Sequence, residues 1–426
     1  MQEILYNGNI VTNNEQRDVV DAMIINDGSV FFAGSNEEVL NLKTEGTAVV
    51  NLEKSYVYPT LFDLKANIFD KIDKKLKSAK KIKKFQVSAE IDENYENFAN
   101  FEEYKNEYLK LEKQYIKNGI STIIETNIDK LQFAFWKKMA EEKLLTLDVV
   151  CYVDLIDSKQ VMDDNCVTYR KYKNHVRLAG YYIKIDGRVQ DLKAWLTKAY
   201  KGTRSFYGSG ELYGEQLYYL IKTALEERKQ IFFELNGDKS IGEVLTVLKE
   251  VEEKNKINEF YRPIFYGAAV LNKCFYADLK HFDITILFEE FKAEDDKLNK
   301  KFLGFVRSKF YHNYMSLLKN NIRFTFVNSN AKFQNFTSNL AVWFNKKRKL
   351  QKIFSKNTDY ILKFRSFLFK LIYSNSAYIC FDQDTKSIIE TQKQASFVIF
   401  KDELLQSYLN DKLSIKSVFV NGEKKY

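Results

Sequence analysis

The sequence predicts a (β/α)8 barrel, an α/β TIM-barrel architecture, carrying a small β-sandwich built from the N- and C-terminal segments. Three observations carry this. Short apolar runs of strand type alternate with amphipathic helical runs across residues 58–377. Residues 1–57 and 378–426 read instead as short strands joined by tight turns. With 426 residues, 45% of them hydrophobic, the chain can bury a core of that size.

The elements follow in order. Residues 4–12 and 21–35 are β-rich, and Asn26-Asp27-Gly28 between Ile25 and Ser29 is a hairpin turn, because Asp-Gly accepts positive φ. Residues 37–42 form a short helical turn, and strands return at 47–52 and 55–58. The eight barrel strands are expected at 57–63, 121–125, 146–154, 178–185, 231–235, 264–267, 284–287 and 323–327. The clearest helical runs lie at 102–117, 215–228, 241–254, 299–318 and 359–373. The tail returns to β-branched and aromatic strands at 396–401 and 415–420, followed by an Asn421-Gly422 turn. The expected division is therefore 1–57 plus 378–426 as one composite sandwich, with 58–377 as the inserted barrel.

Composition narrows the function classes. The chain holds only 2 Pro and 16 Gly, which is not a disordered composition. Its heavy use of Lys, Asn, Ile, Phe and Tyr is the drift expected of an AT-rich genome. The net charge of +9 is weak evidence for an anionic partner for the same reason. Two basic runs, 71–84 and 345–352, read as solvated faces. Aromatics interleaved with charge would mark nucleic-acid binding, and the first run has none before Phe85. Nucleic acid is thus disfavoured as a partner, although an anionic-surface binder acting through these lysines stays in competition. The four cysteines are scattered without a Cys-x-x-Cys pair, which suggests buried single thiols in a reducing compartment. No leader pattern and no apolar run of ~18 residues is present, so no membrane span and a cytoplasmic location are expected.

The most informative stretch is 57–67, Val-Tyr-Pro-Thr-Leu-Phe-Asp-Leu-Lys-Ala-Asn. It resembles the first barrel strand of the amidohydrolase superfamily, which ends in Pro-Gly-apolar-apolar-Asp-x-His-x-His. Pro59 and Asp63 fit, and Lys65 and Asn67 stand where the two histidines would be. Other segments follow the same order. Gly8, Ile10, Thr12, Ala22, Asp27, Gly28 and Gly34 resemble the opening strands of that superfamily's formamide-deformylase and exoenzyme-like branch. GISTIIE at 119–125, IKIDG at 183–187, YGSGELYG at 207–214 and NGDKSIGEVL at 236–245 resemble successive barrel motifs, and 371–400 resembles the last helix and return strand. The resemblance implies a hydrolase of non-peptide C–N bonds with one or two divalent metals at the barrel mouth.

The implied ligand positions are not filled by ligands. Beside Lys65 and Asn67, the resemblance places Lys184 at the family's lysine, Glu234 and Tyr266 at two further histidines, and Asn330 at the final aspartate. The three histidines, His175, His281 and His312, fall elsewhere. No metal and no cofactor are therefore expected. Lys65 and Lys184 are expected to fill the vacated space, paired with Glu234 first and with Asp63 or Glu125 next. Three outcomes compete for that site: a charge network that only fills it, a residual pocket for an anion or carbonyl compound, or a new site in which a lysine forms a Schiff base. For the protein as a whole, a non-catalytic pseudoenzyme acting as scaffold or binding protein is favoured over an active C–N hydrolase with a remodelled site. The partner is open: a protein, a small molecule, or a second copy in a homo-oligomer.

Overall fold

Eight parallel strands lie in sequence order in one curled sheet: β1 (Leu61–Asp63), β2 (Ile120–Ile128), β3 (Asp148–Asp154), β4 (Val176–Lys184), β5 (Gln230–Leu235), β6 (Ile264–Gly267), β7 (Thr285–Phe288) and β8 (Phe324–Phe326). They are seen in a computed structural model that describes residues 2–14, 16, 18–78, 100–256, 259–289, 293–309, 311, 314–327, 366–367, 369–404 and 414–426. Side chains alternate across the sheet, as a pleat requires. Val150 and Tyr152 of β3 join an inner core with Ile124, Phe232, Ile264 and Leu287. Val149 and Val153 face outward, into the layer shared with the helices. Helix Phe101–Lys117 belongs to that layer because Phe101, Tyr104, Tyr108 and Tyr115 recur on one face and are buried.

The expected closed barrel is corrected to an open curl. Among the described residues β8 and β1 form no ladder. Both strands are only three residues long, and the segment Lys370–Ile379 packs at this seam. There the Thr325 hydroxyl donates to the Leu371 carbonyl at 2.8 Å, and Asn375 Nδ2 donates to the Phe324 carbonyl at 2.8 Å. The Asn375 side chain thus serves one carbonyl of an edge that a ladder would otherwise pair.

The expected strand at 57–63 is two strands. Tyr56–Pro59 pairs with Phe397–Phe400, and the barrel strand begins two residues later at Leu61. Its sheet has six strands and draws on both chain ends, in the order Glu423–Lys424, Ile415–Val420, Phe397–Phe400, Tyr56–Pro59, Asn9–Val11, Val19–Val20. A four-stranded sheet packs against it through Leu5, Met23, Ile25, Val30, Val57, Phe397 and Phe419. Both predicted turns have left-handed backbones, with Asp27 and Gly28 at φ 46° and 81° and Asn421 and Gly422 at 51° and 77°.

Three smaller expectations change. The run at 299–318 is not one helix: Ala293–Arg307 is broken at Gly304, φ 78°, and a separate helix spans Tyr314–Lys319. Of the run at 359–373, the described part ends in a π-helical turn, Lys370–Ser374. Cys151 and Cys380 are buried, but Cys166 and Cys274 are exposed. The basic run at 345–352, residues 79–84 of the first run, and His312 lie outside the described residues. No helix among the described residues is long and apolar enough to cross a membrane.

The lower end of the curl is sealed by a buried ionic network. Segment 377–387 lies under the N-terminal ends of the strands. Arg177, at the start of β4, makes two hydrogen bonds to Asp382, at 2.9 and 3.0 Å, and a third to the Cys380 carbonyl. Lys386 bridges Asp382 and Asp148, and His175 bonds Asp148 at 2.7 Å. Asp148 is buried, yet Lys386 and His175 draw its carboxyl down to about 2 against the cost of burial.

Candidate functional site

The candidate site is at the opposite end, where barrel strands finish. Ladder register fixes its geometry. Lys184 of β4 pairs with Glu234 of β5, Glu234 with Tyr266 of β6, and Tyr266 with Leu287 of β7. These residues therefore stand at one height around the mouth. Lys65 follows β1 and reaches the same level from across the sheet.

Lys65 ends in a three-sided setting. Its ammonium contacts a Glu234 carboxylate oxygen and lies 3.9 Å from the centre of the Tyr266 ring and 6.0 Å from that of Tyr182. The Tyr182 hydroxyl donates to the same Glu234 oxygen at 2.9 Å. Burial and the Glu234 charge push the Tyr182 phenol far up, so it stays protonated as a donor. Tyr266 continues the chain of contacts by donating to Glu289 at 3.2 Å. Glu289 pairs with Arg188 at 3.2 Å, and Arg188 with Asp295 at 3.1 Å. Burial raises the Glu289 carboxyl, with Arg188 and Lys65 opposing. Charges of opposite sign thus alternate round this side of the mouth.

The other expected residues take different places. Lys184 does not join Lys65 at Glu234; it pairs with Glu211 at the rim and is 40% exposed. Its strand ends there, and Glu211 is held close by a backbone bond from its N–H to the Ile185 carbonyl at 2.7 Å. Asp63 is buried. It accepts from the Tyr115 hydroxyl at 2.9 Å and from the Lys65 backbone N–H at 3.3 Å, with Lys71 at 3.8 Å. Asn67 has a left-handed backbone, φ 50°, and lines the cavity beside Lys65. Asn330 lies outside the described residues.

These side chains border a cavity of about 370 Å³, lined by Lys65, Asn67, Glu125, Gln132, Tyr182, Lys184 and Glu234 among others. Glu125 carries no pairing with Lys65 in this arrangement. It is 2% exposed and accepts from the Ile68 N–H at 2.9 Å, at the start of helix Ile68–Ser78. Burial raises its carboxyl to about 8, with Lys71 opposing, so it is protonated near neutral pH.

Sequence reasoning missed Tyr182, Arg188 and Glu289 at the mouth. Tyr182 and Lys184 share a face of β4 two residues apart, so strand alternation could have flagged it. Arg188 and Glu289 follow strand ends and had no signal of spacing. Asp186 was legible only as part of a motif. Its carboxylate accepts from the backbone N–H groups of Asn236, Gly237 and Trp195 at 2.6, 2.9 and 2.8 Å, and from the Ser240 hydroxyl. The two segments 183–187 and 236–245 thus meet, and Asp186 fixes the loop that leads into helix Asp238–Asn255. Burial pushes this carboxyl up to about 6 against those four bonds.

The donor set does not suit a divalent metal. At the mouth an ammonium occupies the approach to Glu234, and no group of three or more His, Cys, Asp or Glu among the described residues could hold a metal ion. His175 and His281 are bonded to Asp148 and Glu252, away from this site.

No protein-family model matches the chain, and no curated relative matches its sequence. Its structure is similar to those of metal-dependent hydrolases of the amidohydrolase type. An uncharacterized metal-dependent hydrolase from Pyrococcus furiosus matches with a TM-score of 0.73 at 14% identity, over 95% of this chain and 99% of that one. One from Pyrococcus horikoshii OT3 matches with 0.73 at 16%, over 95% and 98%. Guanine deaminase from C. acetobutylicum, with bound guanine in its active site, matches with 0.60 at 14% over 100% of both chains. The chain therefore has the fold of these hydrolases.

Proposed function

We propose that this protein is an amidohydrolase-fold pseudoenzyme: it does not hydrolyse C–N bonds, and its barrel mouth binds a small polar molecule. The observation that carries this is the position of Lys65, whose ammonium sits between the Glu234 carboxylate and the Tyr266 ring. The loss would be expensive to make up. A metal lowers the pKa of its bound water by roughly nine units, which is about 12 kcal/mol of hydroxide formation near neutral pH. A carboxylate base returns only about 10²–10⁴ in rate, and the Glu234 oxygen that would act is already bonded to Lys65 and Tyr182. The cavity of about 370 Å³ remains, with amide and hydroxyl groups in its wall, and supports binding without hydrolysis.

The test is elemental analysis of protein produced in zinc-supplemented medium, together with hydrolysis assays on acylated amines and cyclic amides. Zinc far below one ion per chain and no turnover above a Lys65→Met control are expected. Near-stoichiometric zinc with metal-dependent turnover would overturn the proposal in favour of an active hydrolase with a remodelled site.

A further inference from the structure

We propose that Lys65 is a covalent site for a 2-oxo acid, which it binds as an imine, with Lys184 holding the acid's carboxylate. This inference rests on reading the mouth as a metal-free cavity and goes beyond it by naming the ligand's chemistry.

Three features support it. The first is a nucleophile with its proton acceptor in place. An amine attacks a carbonyl only as the neutral base, and Glu234 touches the Lys65 ammonium, so one proton transfer frees the lone pair. The second is a group that holds this acceptor in place. Tyr182 donates to that same Glu234 oxygen and keeps the carboxylate beside Lys65. The third is room and a second cation. Lys65 and Lys184 border one cavity, about 370 Å³ in volume, which exceeds the needs of a three- or four-carbon acid. Lys184 stands in register with Glu234 on the adjoining strand, and its exposed partner Glu211 leaves it free to exchange partners at the rim.

The chemistry balances without an oxidant or reductant. The Lys65 ammonium gives a proton to Glu234; the freed nitrogen bonds to the keto carbon, and one of its two remaining protons passes to the carbonyl oxygen, which becomes a hydroxyl. Glu234 then returns its proton to that hydroxyl, the C–O bond breaks, and water leaves. A C=N bond to Lys65 remains. The ligand's carboxylate replaces Glu211 at Lys184, as a charge-assisted pair.

Borohydride trapping tests this on the wild-type chain. The protein is incubated with pyruvate, or with acetone as the ketone lacking a carboxylate, then reduced and digested, and labelled lysines are located by mass spectrometry. Pyruvate should label Lys65 saturably and far above the other lysines in the native protein, and this preference should vanish in urea. Lys65→Arg keeps the charge opposite Glu234 and should abolish the label there. Lys184→Gln should raise the half-saturating pyruvate concentration about tenfold, the scale of one charge-assisted contact, and leave acetone labelling unchanged. Label spread evenly over the lysines, or equal in native and urea-unfolded protein, overturns the site. Equal saturation by pyruvate and acetone overturns the 2-oxo acid assignment. Zinc-free protein with an unlabelled Lys65 rejects this inference alone, whereas stoichiometric zinc rejects the pseudoenzyme reading as well.

Discussion

Lys65 and Glu234 meet across the barrel mouth from β1 and β5, with three strands of the sheet between them. Their side chains are 10% and 19% exposed, so each charge depends on the other more than a surface pair would. Lys65→Met leaves Glu234 with Tyr182 alone, and a loss of about 3 kcal/mol is expected. Combining it with Glu234→Leu should cost much less than the sum of the single changes, because both charges leave together. Chemical denaturation of the three variants measures the coupling. Additive effects would show that the pair adds nothing to stability.

The Arg177–Asp382 pair at the sealed end is more deeply buried, with both side chains 3% exposed. Arg177→Met removes two hydrogen bonds to Asp382, which keeps only Lys386 and the Tyr172 hydroxyl, and the bond to the Cys380 carbonyl. A loss of about 3–5 kcal/mol is expected, larger than at Lys65, and thermal unfolding should rank the two variants in that order.

Glu125 gives the stability a pH dependence whose sign can be worked out. Its carboxyl is raised from the ordinary 4.5 to about 8. Below the lower value it is protonated in both folded and unfolded chains. Between the two values only the folded chain keeps the proton, so stability falls as pH rises, and above the upper value the loss is complete. Lys71 opposes this shift, and Asp63 and Asp70 reinforce it. Glu125→Gln retains an acceptor for the Ile68 N–H and should flatten the decline between pH 5 and 9 in melting curves recorded across that range. An unchanged slope would refute the assignment.

Gly237 precedes helix Asp238–Asn255, where a Cβ would lie 1.8 Å from the Trp195 carbonyl oxygen. The obstacle is backbone and cannot swing aside. Gly237→Ala should cost at least about 1–3 kcal/mol and loosen the hydrogen bonds that Asp186 accepts from this loop. Amide exchange at Trp195, Asn236 and Gly237 should accelerate together.

Much of the fold was legible because barrel strands such as 264–267 are continuous apolar runs buried on both faces, which sequence shows plainly. The break at Thr60 was not, since apolar residues continue through both strands and only pairing separates them. At the site, Pro59 and Asp63 fix the register that puts Lys65 at the end of the first strand, and separate motifs of the resemblance put Glu234 and Tyr266 at the ends of later strands. Side-chain partners were less readable. Lys184 turns to Glu211, a residue brought near by a loop whose path has no periodic signal. The network of Arg177, Asp382, Lys386 and Asp148 joins residues more than two hundred positions apart, beyond the reach of any local pattern.

The peptide at Thr60 belongs at once to two sheets. Its N–H bonds the Ser396 carbonyl at 3.1 Å, and the next N–H, of Leu61, bonds the Gly119 carbonyl at 2.8 Å. The Thr60 hydroxyl meets that of Ser121 at 2.6 Å. With one residue as the whole connection and bonds on both sides of it, there is no slack for a hinge. A twist applied to the terminal sheet is delivered as torque to the first barrel strand, and five residues later to Lys65. Whatever grips the chain's outer sheet thereby holds a handle on the mouth.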